Sequence, residues 1–161
     1  MARKISRQAV YLHYPSRAEL LVAATRHLDE RLQIDAQLER CRALKDDPAR
    51  LEAWIEVWGN YIPGIYGVAK ALLAMKDEDA EARSAWDDRM QAMREGCAAA
   101  VKPLRSAGKL NPALNQQQAT DMLWALLSVR TWEQLRLECG WSQQQYIDKM
   151  KHAAARILMT D

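Results

Sequence analysis

The residues most able to do chemistry lie in the basic N-terminal stretch. Residues 1–17 carry no acidic side chain and four cations, Arg3, Lys4, Arg7 and Arg17. The polar side chains among them are of types that contact base edges and phosphates in nucleic acids, namely Ser6, Gln8, Tyr11 and His13. On charge alone, this stretch is as compatible with a solvated basic tail as with a nucleic-acid contact.

The other titratable residues form no recognisable catalytic or metal-binding motif. The three histidines are scattered, and no Glu-x-x-His, His-Glu-x-x-His or Gly-x-Ser-x-Gly sequence occurs. The three cysteines lack zinc-ligand spacing and imply no disulfide framework. We therefore predict that the protein is not an enzyme and uses no metal or cofactor, and an all-α enzyme is the disfavoured alternative.

Cysteine usage and hydropathy predict where the protein works. An odd number of widely spaced cysteines suits a reducing compartment. The N-terminus lacks the apolar segment of a signal peptide, and no stretch approaches the length of uncharged apolar sequence that a membrane span needs. These features predict a cytoplasmic protein without membrane contact.

Composition and periodicity predict an all-α fold. Ala, Leu, Arg, Glu, Gln and Met dominate, and no run of alternating β-branched residues suggests a strand. Three Ser or Asn residues, Ser16, Asn115 and Ser142, each precede a Glu or Gln by three positions, which is the pattern of a capping box. Breaks are expected at Pro15, at Asp47-Pro48 with Asp47 as N-cap, at Gly59-Asn60 and at Gly108. The predicted helices span residues 7–14, 16–45, 48–58, 62–76, 77–107, 116–138 and 142–161.

Large aromatic and Met residues on the apolar faces of the middle helices predict a ligand cavity. Such a cavity would be wide, adaptable and apolar, and its aromatic faces would accept a planar or cationic compound. The alternative is ordinary core, which is the usual role of such a stripe. The candidate lining residues are Trp54, Trp58, Tyr61, Tyr66, Trp86, Met90, Met93 and Trp124.

The last two predicted helices carry enough apolar surface for a second chain. The segment 122–132 is apolar nearly all round, so it requires neighbours on more than one side. Two copies could supply them by forming a four-helix bundle about a two-fold axis. The alternative is that 116–138 is the central helix of a monomer. The candidate interface residues are Leu127, Trp132, Tyr146, Ile147, Met150, Ala154 and Ile157.

Both ends of the chain resemble one protein family. Residues 6–21 read Ser-Arg-Gln-Ala-Val-Tyr-Leu-His-Tyr-Pro-Ser-Arg-Ala-Glu-Leu-Leu, which resembles the recognition helix and the start of the next helix of TetR-type transcriptional regulators. Residues 121–133, followed by Glu138-Cys139-Gly140-Trp141-Ser142 and Tyr146, resemble the C-terminal helix pair that forms the dimer interface in that family.

The resemblance implies a fold, a domain division and a function. It implies a TetR-like helical bundle, with a partial DNA-binding helix-turn-helix region at 1–21 and a ligand-binding and dimerisation domain at 22–161. It implies a homodimeric regulator, most readily a repressor, that leaves double-stranded operator DNA when a small hydrophobic or aromatic effector binds. In the family's scheme, Ser6 would cap the recognition helix, Arg7 and Gln8 would face base edges, and Tyr11, His13 and Arg17 would hold phosphates.

The same scheme places two further helices before the recognition helix, and only five residues precede Ser6 here. We therefore expect the 161-residue form to bind operator DNA weakly or not at all. The alternative function is a truncated helical module that binds ligand and dimerises but no longer binds DNA.

Overall fold

A computed structural model describes residues 13–160, and this part of the chain is built from helices. Its only strand-like pairing is an isolated bridge between Leu110 and Met159. The predicted all-α class is therefore confirmed. The helices are α1 (Arg17–Arg31), α2 (Ile34–Ala43), α3 (Asp47–Met75), α4 (Ala80–Ser106), α5 (Gln116–Leu126), α6 (Val129–Glu133), a π-helix (Gln134–Glu138) and α7 (Gln143–Leu158). Among these helices, none combines the length and hydrophobicity needed to cross a bilayer.

Side-chain caps begin the helices largely where the sequence predicts them. The Ser16 hydroxyl accepts a 3.1 Å hydrogen bond from the Glu19 amide at the start of α1. Complete capping boxes start α5 at Asn115 and α7 at Ser142. One cap was misassigned, because Asp46 caps α3 in place of Asp47, which lies inside the first turn.

The predicted helix 16–45 is wrong as a single element. Gln33 adopts a left-handed conformation, with φ of 50° and ψ of 44°, and separates α1 from α2. The Gln37 side-chain amide donates a 2.7 Å hydrogen bond to the Leu32 carbonyl, one of the groups that the break leaves free. Neither Gly nor Pro marks this break, so the apolar pattern gave no signal of it.

The predicted break at Gly59-Asn60 is also wrong, because α3 runs through it for 29 residues. Gly59 is buried, and a Cβ added there would lie 3.0 Å from Ile147 Cγ1 of α7. Its carbonyl accepts a 2.8 Å hydrogen bond from the Gln143 side chain. The glycine therefore lets two helices approach closely, and this packing outweighs its low helix propensity.

The predicted helix 116–138 divides into three parts. α5 ends at Leu126, Ser128 caps α6 by accepting a 3.1 Å hydrogen bond from the Thr131 amide, and a π-helix follows. A Ser hydroxyl can bond nearby backbone groups and so compete with a continuous helix, which an apolar pattern does not reveal.

Two clusters of buried side chains hold these helices together. The larger joins α3, α4, α5 and α7 and includes Leu51, Ile62, Leu104 and Tyr146. The smaller consists of Ala18, Leu72 and Ala82, and it fixes the start of α1 against α3 and α4. The close helix contact at Ala18 and Ala82 depends on small side chains, since both are fully buried.

Candidate functional site

A cavity of about 260 Å³ lies among α1, α2, α3 and α4. Six of the eight predicted ligand-binding residues line it, which are Trp54, Trp58, Tyr61, Trp86, Met90 and Met93. The other apolar lining residues come mainly from α2 and α3, and they include Ile34, Leu38, Val57, Ile65, Val68 and Leu72. A concave, mainly apolar site with a few polar groups is typical of small-molecule binding.

Helix periodicity produces the aromatic wall of the cavity. Trp54, Trp58 and Tyr61 lie at i, i+4 and i+7 on α3, so their rings share one face. The two indoles stack with centroids 6.2 Å apart, and the Tyr61 ring lies 5.4 Å from that of Trp58. Gly96 makes room for the first ring, because a Cβ there would lie 2.3 Å from Trp54 Cη2.

Tyr66 and Trp124 do not line the cavity. Tyr66 packs against Trp132 with ring centroids 5.1 Å apart, and its hydroxyl donates to Glu133. Lys70 donates a 2.7 Å hydrogen bond to the same carboxylate. These contacts join α3 to α6, so the Tyr66 side chain packs between helices rather than against the cavity. Trp124 is half-buried and packs against the larger cluster.

A charged pair and a tyrosine form the polar part of the cavity wall. Asp29 Oδ2 lies 2.8 Å from Arg89 Nη1, and Asp29 Oδ1 accepts a hydrogen bond from the Tyr61 hydroxyl. Burial, and next the hydrogen bond to Asp29, raise the pKa of Tyr61 well above its ordinary range. Tyr61 is therefore a neutral donor at physiological pH, and Asp29 is fully engaged by its two partners.

Sequence reasoning missed the charged lining residues Asp29, Asp35 and Arg89. Charged positions on amphipathic helices are usually exposed, so a charged residue type alone does not indicate a cavity. Spacing carried a signal, because Asp29 follows the buried Thr25 by four residues and Arg89 follows Trp86 by three. Both therefore share a helix face with a residue that lines the cavity.

From the exposure of two lining residues we infer that the cavity reaches the surface between α2 and α4. Among its lining residues only Asp35 on α2 and Ala92 on α4 are exposed, while the others are buried or half-buried. We call the gap between these two residues the mouth of the cavity.

Two of the predicted DNA-binding residues belong to the described part of the chain. His13 and Arg17 are both exposed, with Arg17 as the first residue of α1. The helix start is anchored beside them, because Ser16 Oγ donates a 2.5 Å hydrogen bond to Glu81 on α4. The remaining predicted DNA-binding residues, Ser6, Arg7, Gln8 and Tyr11, lie outside the described residues, as does most of the predicted helix 7–14.

The predicted dimer-interface residues lie mostly inside the protomer. Ile157 is half-buried, and the other six are buried, namely Leu127, Trp132, Tyr146, Ile147, Met150 and Ala154. Their burial commits these six side chains to the core of one chain, so they offer little surface to a partner. The exposed large apolar residues of this region are others that were not predicted, Leu137 on the π-helix and Met122 on α5, with exposed fractions of 55% and 43%.

Comparison with known proteins identifies the fold. The crystal structure of a TetR-family transcriptional regulator from Rhodococcus sp. is similar over 97% of this chain and 82% of that chain, with a TM-score of 0.69 and 19% sequence identity. No protein-family model and no curated protein matches the sequence. The chain has a TetR-like all-α fold, as the resemblance of its two ends predicts.

Proposed function

We propose that this chain is a TetR-type transcriptional regulator, a repressor that a small hydrophobic or aromatic compound releases from operator DNA. The observation that carries the proposal is the aromatic cavity beside the break between α1 and α2. The similarity to a solved TetR-family regulator supports the fold on which the proposal depends.

The position of the cavity suggests how ligand binding would reach the DNA-binding end. Thr25 and Asp29 of α1 line it on one side of Gln33, and Ile34 and Leu38 of α2 line it on the other. A compound that contacts both helices would favour one angle between them over another. It would change DNA affinity to the extent that its own affinity differs between the two arrangements.

The DNA contacts that we propose follow the family's scheme. Arg7 and Gln8 read base edges in the major groove, while Tyr11, His13 and Arg17 hold phosphates and Ser6 caps the recognition helix. The exposure of His13 and Arg17 supports the last two of the phosphate contacts. Each good bidentate base contact contributes about 1–3 kcal/mol of discrimination.

We also propose a homodimer formed through the C-terminal helices. The exposed apolar residues Leu137 and Met122, together with the half-buried Ile157, would supply the apolar surface of the contact. A two-fold dimer would present two recognition helices to paired half-sites, so a ligand that alters their spacing would weaken operator binding.

Fluorescence anisotropy with the labelled promoter of the protein's own operon tests the regulator proposal. The 161-residue chain and the product of the complete reading frame that contains it are titrated against promoter DNA and a scrambled duplex. We expect the complete product to prefer the promoter by at least about a thousandfold, and Arg7→Ala to reduce that preference. If neither protein prefers the promoter, DNA regulation is refuted and the alternative of a ligand-binding, dimerising module is favoured.

A further inference from the structure

Two of the three charged residues that line the cavity have partners within the protein, and the third has none among residues 13–160. Arg89 and Asp29 form a 2.8 Å ion pair, and Asp29 also accepts from Tyr61. The pair is electrically neutral and has its hydrogen-bonding partners within the protein. A ligand that competes for either member would leave a half-buried charge unpaired, which is costly.

Asp35 is the lining residue whose charge has no partner among residues 13–160. Its carboxylate lies at the mouth of the cavity in the first turn of α2. Within residues 13–160 it takes part in no hydrogen bond and no ion pair. Since the charges of Asp29 and Arg89 cancel, Asp35 gives the lining a net charge of −1.

The aromatic wall favours the same sign of ligand charge. The faces of the Trp and Tyr rings carry the negative part of a quadrupole, and cations bind over them. Trp54, Trp58, Tyr61 and Trp86 all contribute rings to the lining. An anion would meet these faces and Asp35 together, and the one cationic group of the lining, Arg89, is already held by Asp29.

We propose that the cavity selects a small planar aromatic compound that carries an amino cation, with the rings against the aromatic wall and the ammonium group at Asp35. This inference rests on the proposed function, because it names the class of effector that the regulator would sense. The volume of about 260 Å³ sets the size. A dry cavity of about 150 Å³ accommodates benzene, so one or two fused rings fit here.

Three compounds of one shape and different charge test the proposal by isothermal titration calorimetry. The probes are 2-naphthylmethylammonium, 2-naphthalenemethanol and 2-naphthoate, each titrated into the 161-residue protein. We expect the ammonium compound to bind about tenfold more tightly than the alcohol, through its ion pair and cation–π contacts, and the carboxylate to bind more weakly than both.

Two variants show where the selected charge binds. Asp35→Asn should bring the ammonium compound to within about twofold of the alcohol and leave the affinity of the alcohol unchanged. Asp87→Asn is the matched control, because Asp87 is an exposed acid on α4 that does not line the cavity. It should leave the affinities of all three compounds unchanged. A third variant, Ala92→Trp, fills the mouth from an exposed position and should abolish binding of both the ammonium compound and the alcohol.

The outcomes that would overturn the proposal are distinct. Equal affinity of the ammonium compound and the alcohol, or tighter binding of the carboxylate, refutes the charge preference while leaving a ligand cavity in place. A full preference for the ammonium compound in Asp35→Asn, loss of that preference in Asp87→Asn, or retained binding in Ala92→Trp refutes the assigned position. If none of the three compounds binds, the proposed effector class is wrong. Binding of an uncharged apolar compound of similar size would then still support a ligand-released regulator. Failure of such a compound to bind would refute the proposed ligand-responsive function as well.

Discussion

The indole nitrogen of Trp58 donates a 2.7 Å hydrogen bond to the carbonyl oxygen of Leu127, the C-cap residue that directly follows α5. The end of a helix leaves carbonyl groups without partners inside the helix, and a buried one requires a partner from elsewhere. Trp58 therefore has two roles. Its ring lines the cavity, and its N–H group pairs the Leu127 carbonyl where the helical path is interrupted between α5 and α6.

Replacing Trp58 by Phe tests this contact. Trp58→Phe keeps an aromatic ring but leaves the Leu127 carbonyl unpaired, so we expect unfolding to become easier by about 1–3 kcal/mol. Chemical denaturation followed by circular dichroism measures the change. Trp141→Phe serves as the control, because Trp141 is also half-buried and its indole makes no hydrogen bond within residues 13–160. Equal stability of the two variants would contradict the role given to the hydrogen bond.

Two glycines of α3 should respond oppositely to the same substitution. A Cβ at Gly67 meets nothing within 4 Å, so Gly67→Ala should stabilise the protein by about 1 kcal/mol through helix propensity. At Gly59 the Cβ would lie 3.0 Å from Ile147 Cγ1, so Gly59→Ala must displace the buried Ile147 side chain and should destabilise by about 1–3 kcal/mol. Denaturation midpoints compare them, and a stabilising Gly59→Ala would show that α3 and α7 are not closely packed there.

The left-handed residue between α1 and α2 gives a third test. Gln33→Gly should leave the free energy of unfolding unchanged or raise it slightly. Gln33→Val should lower it by about 1–2 kcal/mol, because a β-branched residue strongly disfavours positive φ. Gln91 is an exposed position within α4, and there the order should reverse. The Gln91→Gly protein should be less stable than the Gln91→Val protein by a few tenths of a kcal/mol. The same order at both positions would contradict a break at Gln33.

Tyr146 provides a prediction that depends on pH. Its ring is buried, and its hydroxyl has no hydrogen-bond partner within residues 13–160. Burial raises the pKa of Tyr146 well above its ordinary value near 10. Above about pH 10 the folded state keeps a proton that the unfolded state loses, so the free energy of unfolding falls as the pH rises further.

Tyr146→Phe should therefore stabilise the protein by about 1 kcal/mol at pH 7, because it removes an unpaired buried hydroxyl. The gain should increase above about pH 10. Tyr61→Phe is the contrasting variant, since it loses the hydrogen bond to Asp29 and should be destabilising at pH 7. Urea denaturation at pH 7 and pH 10.5 measures both, and a destabilised Tyr146→Phe at pH 7 would point to a partner for the hydroxyl.

Local sequence signals predicted the parts of the fold that depend on local chemistry. The caps at Ser16, Asn115 and Ser142 could be read directly, because each pairs a capping side chain with a residue three positions later. The breaks at Gln33 and Leu127 could not, because neither contains Gly or Pro. The break at Leu127 also depends on Trp58, which is distant in the chain. The break predicted at Gly59 was wrong for a related reason, because this glycine allows the close approach of α7, which is distant in the chain.

The candidate site was predicted in part for a similar reason. The stripe of Trp54, Trp58 and Tyr61 follows helix periodicity, so the aromatic wall was visible in the sequence. The polar groups Asp29 and Arg89 come from helices that are far apart in the chain, and no local pattern pairs them. The division into domains at residue 21 stays a prediction; α1 runs through that position without interruption.

The most direct test of the ligand-released regulator is the effect of a cavity ligand on DNA binding. Anisotropy titrations of the labelled promoter are run with the complete reading-frame product, with and without saturating 2-naphthylmethylammonium, and repeated with Ala92→Trp. We predict that the ligand weakens promoter binding by at least about fivefold, the lower end of usual allosteric coupling, and that Ala92→Trp abolishes this effect while still binding DNA. Unchanged promoter affinity at a ligand concentration that saturates the cavity by calorimetry would contradict the account.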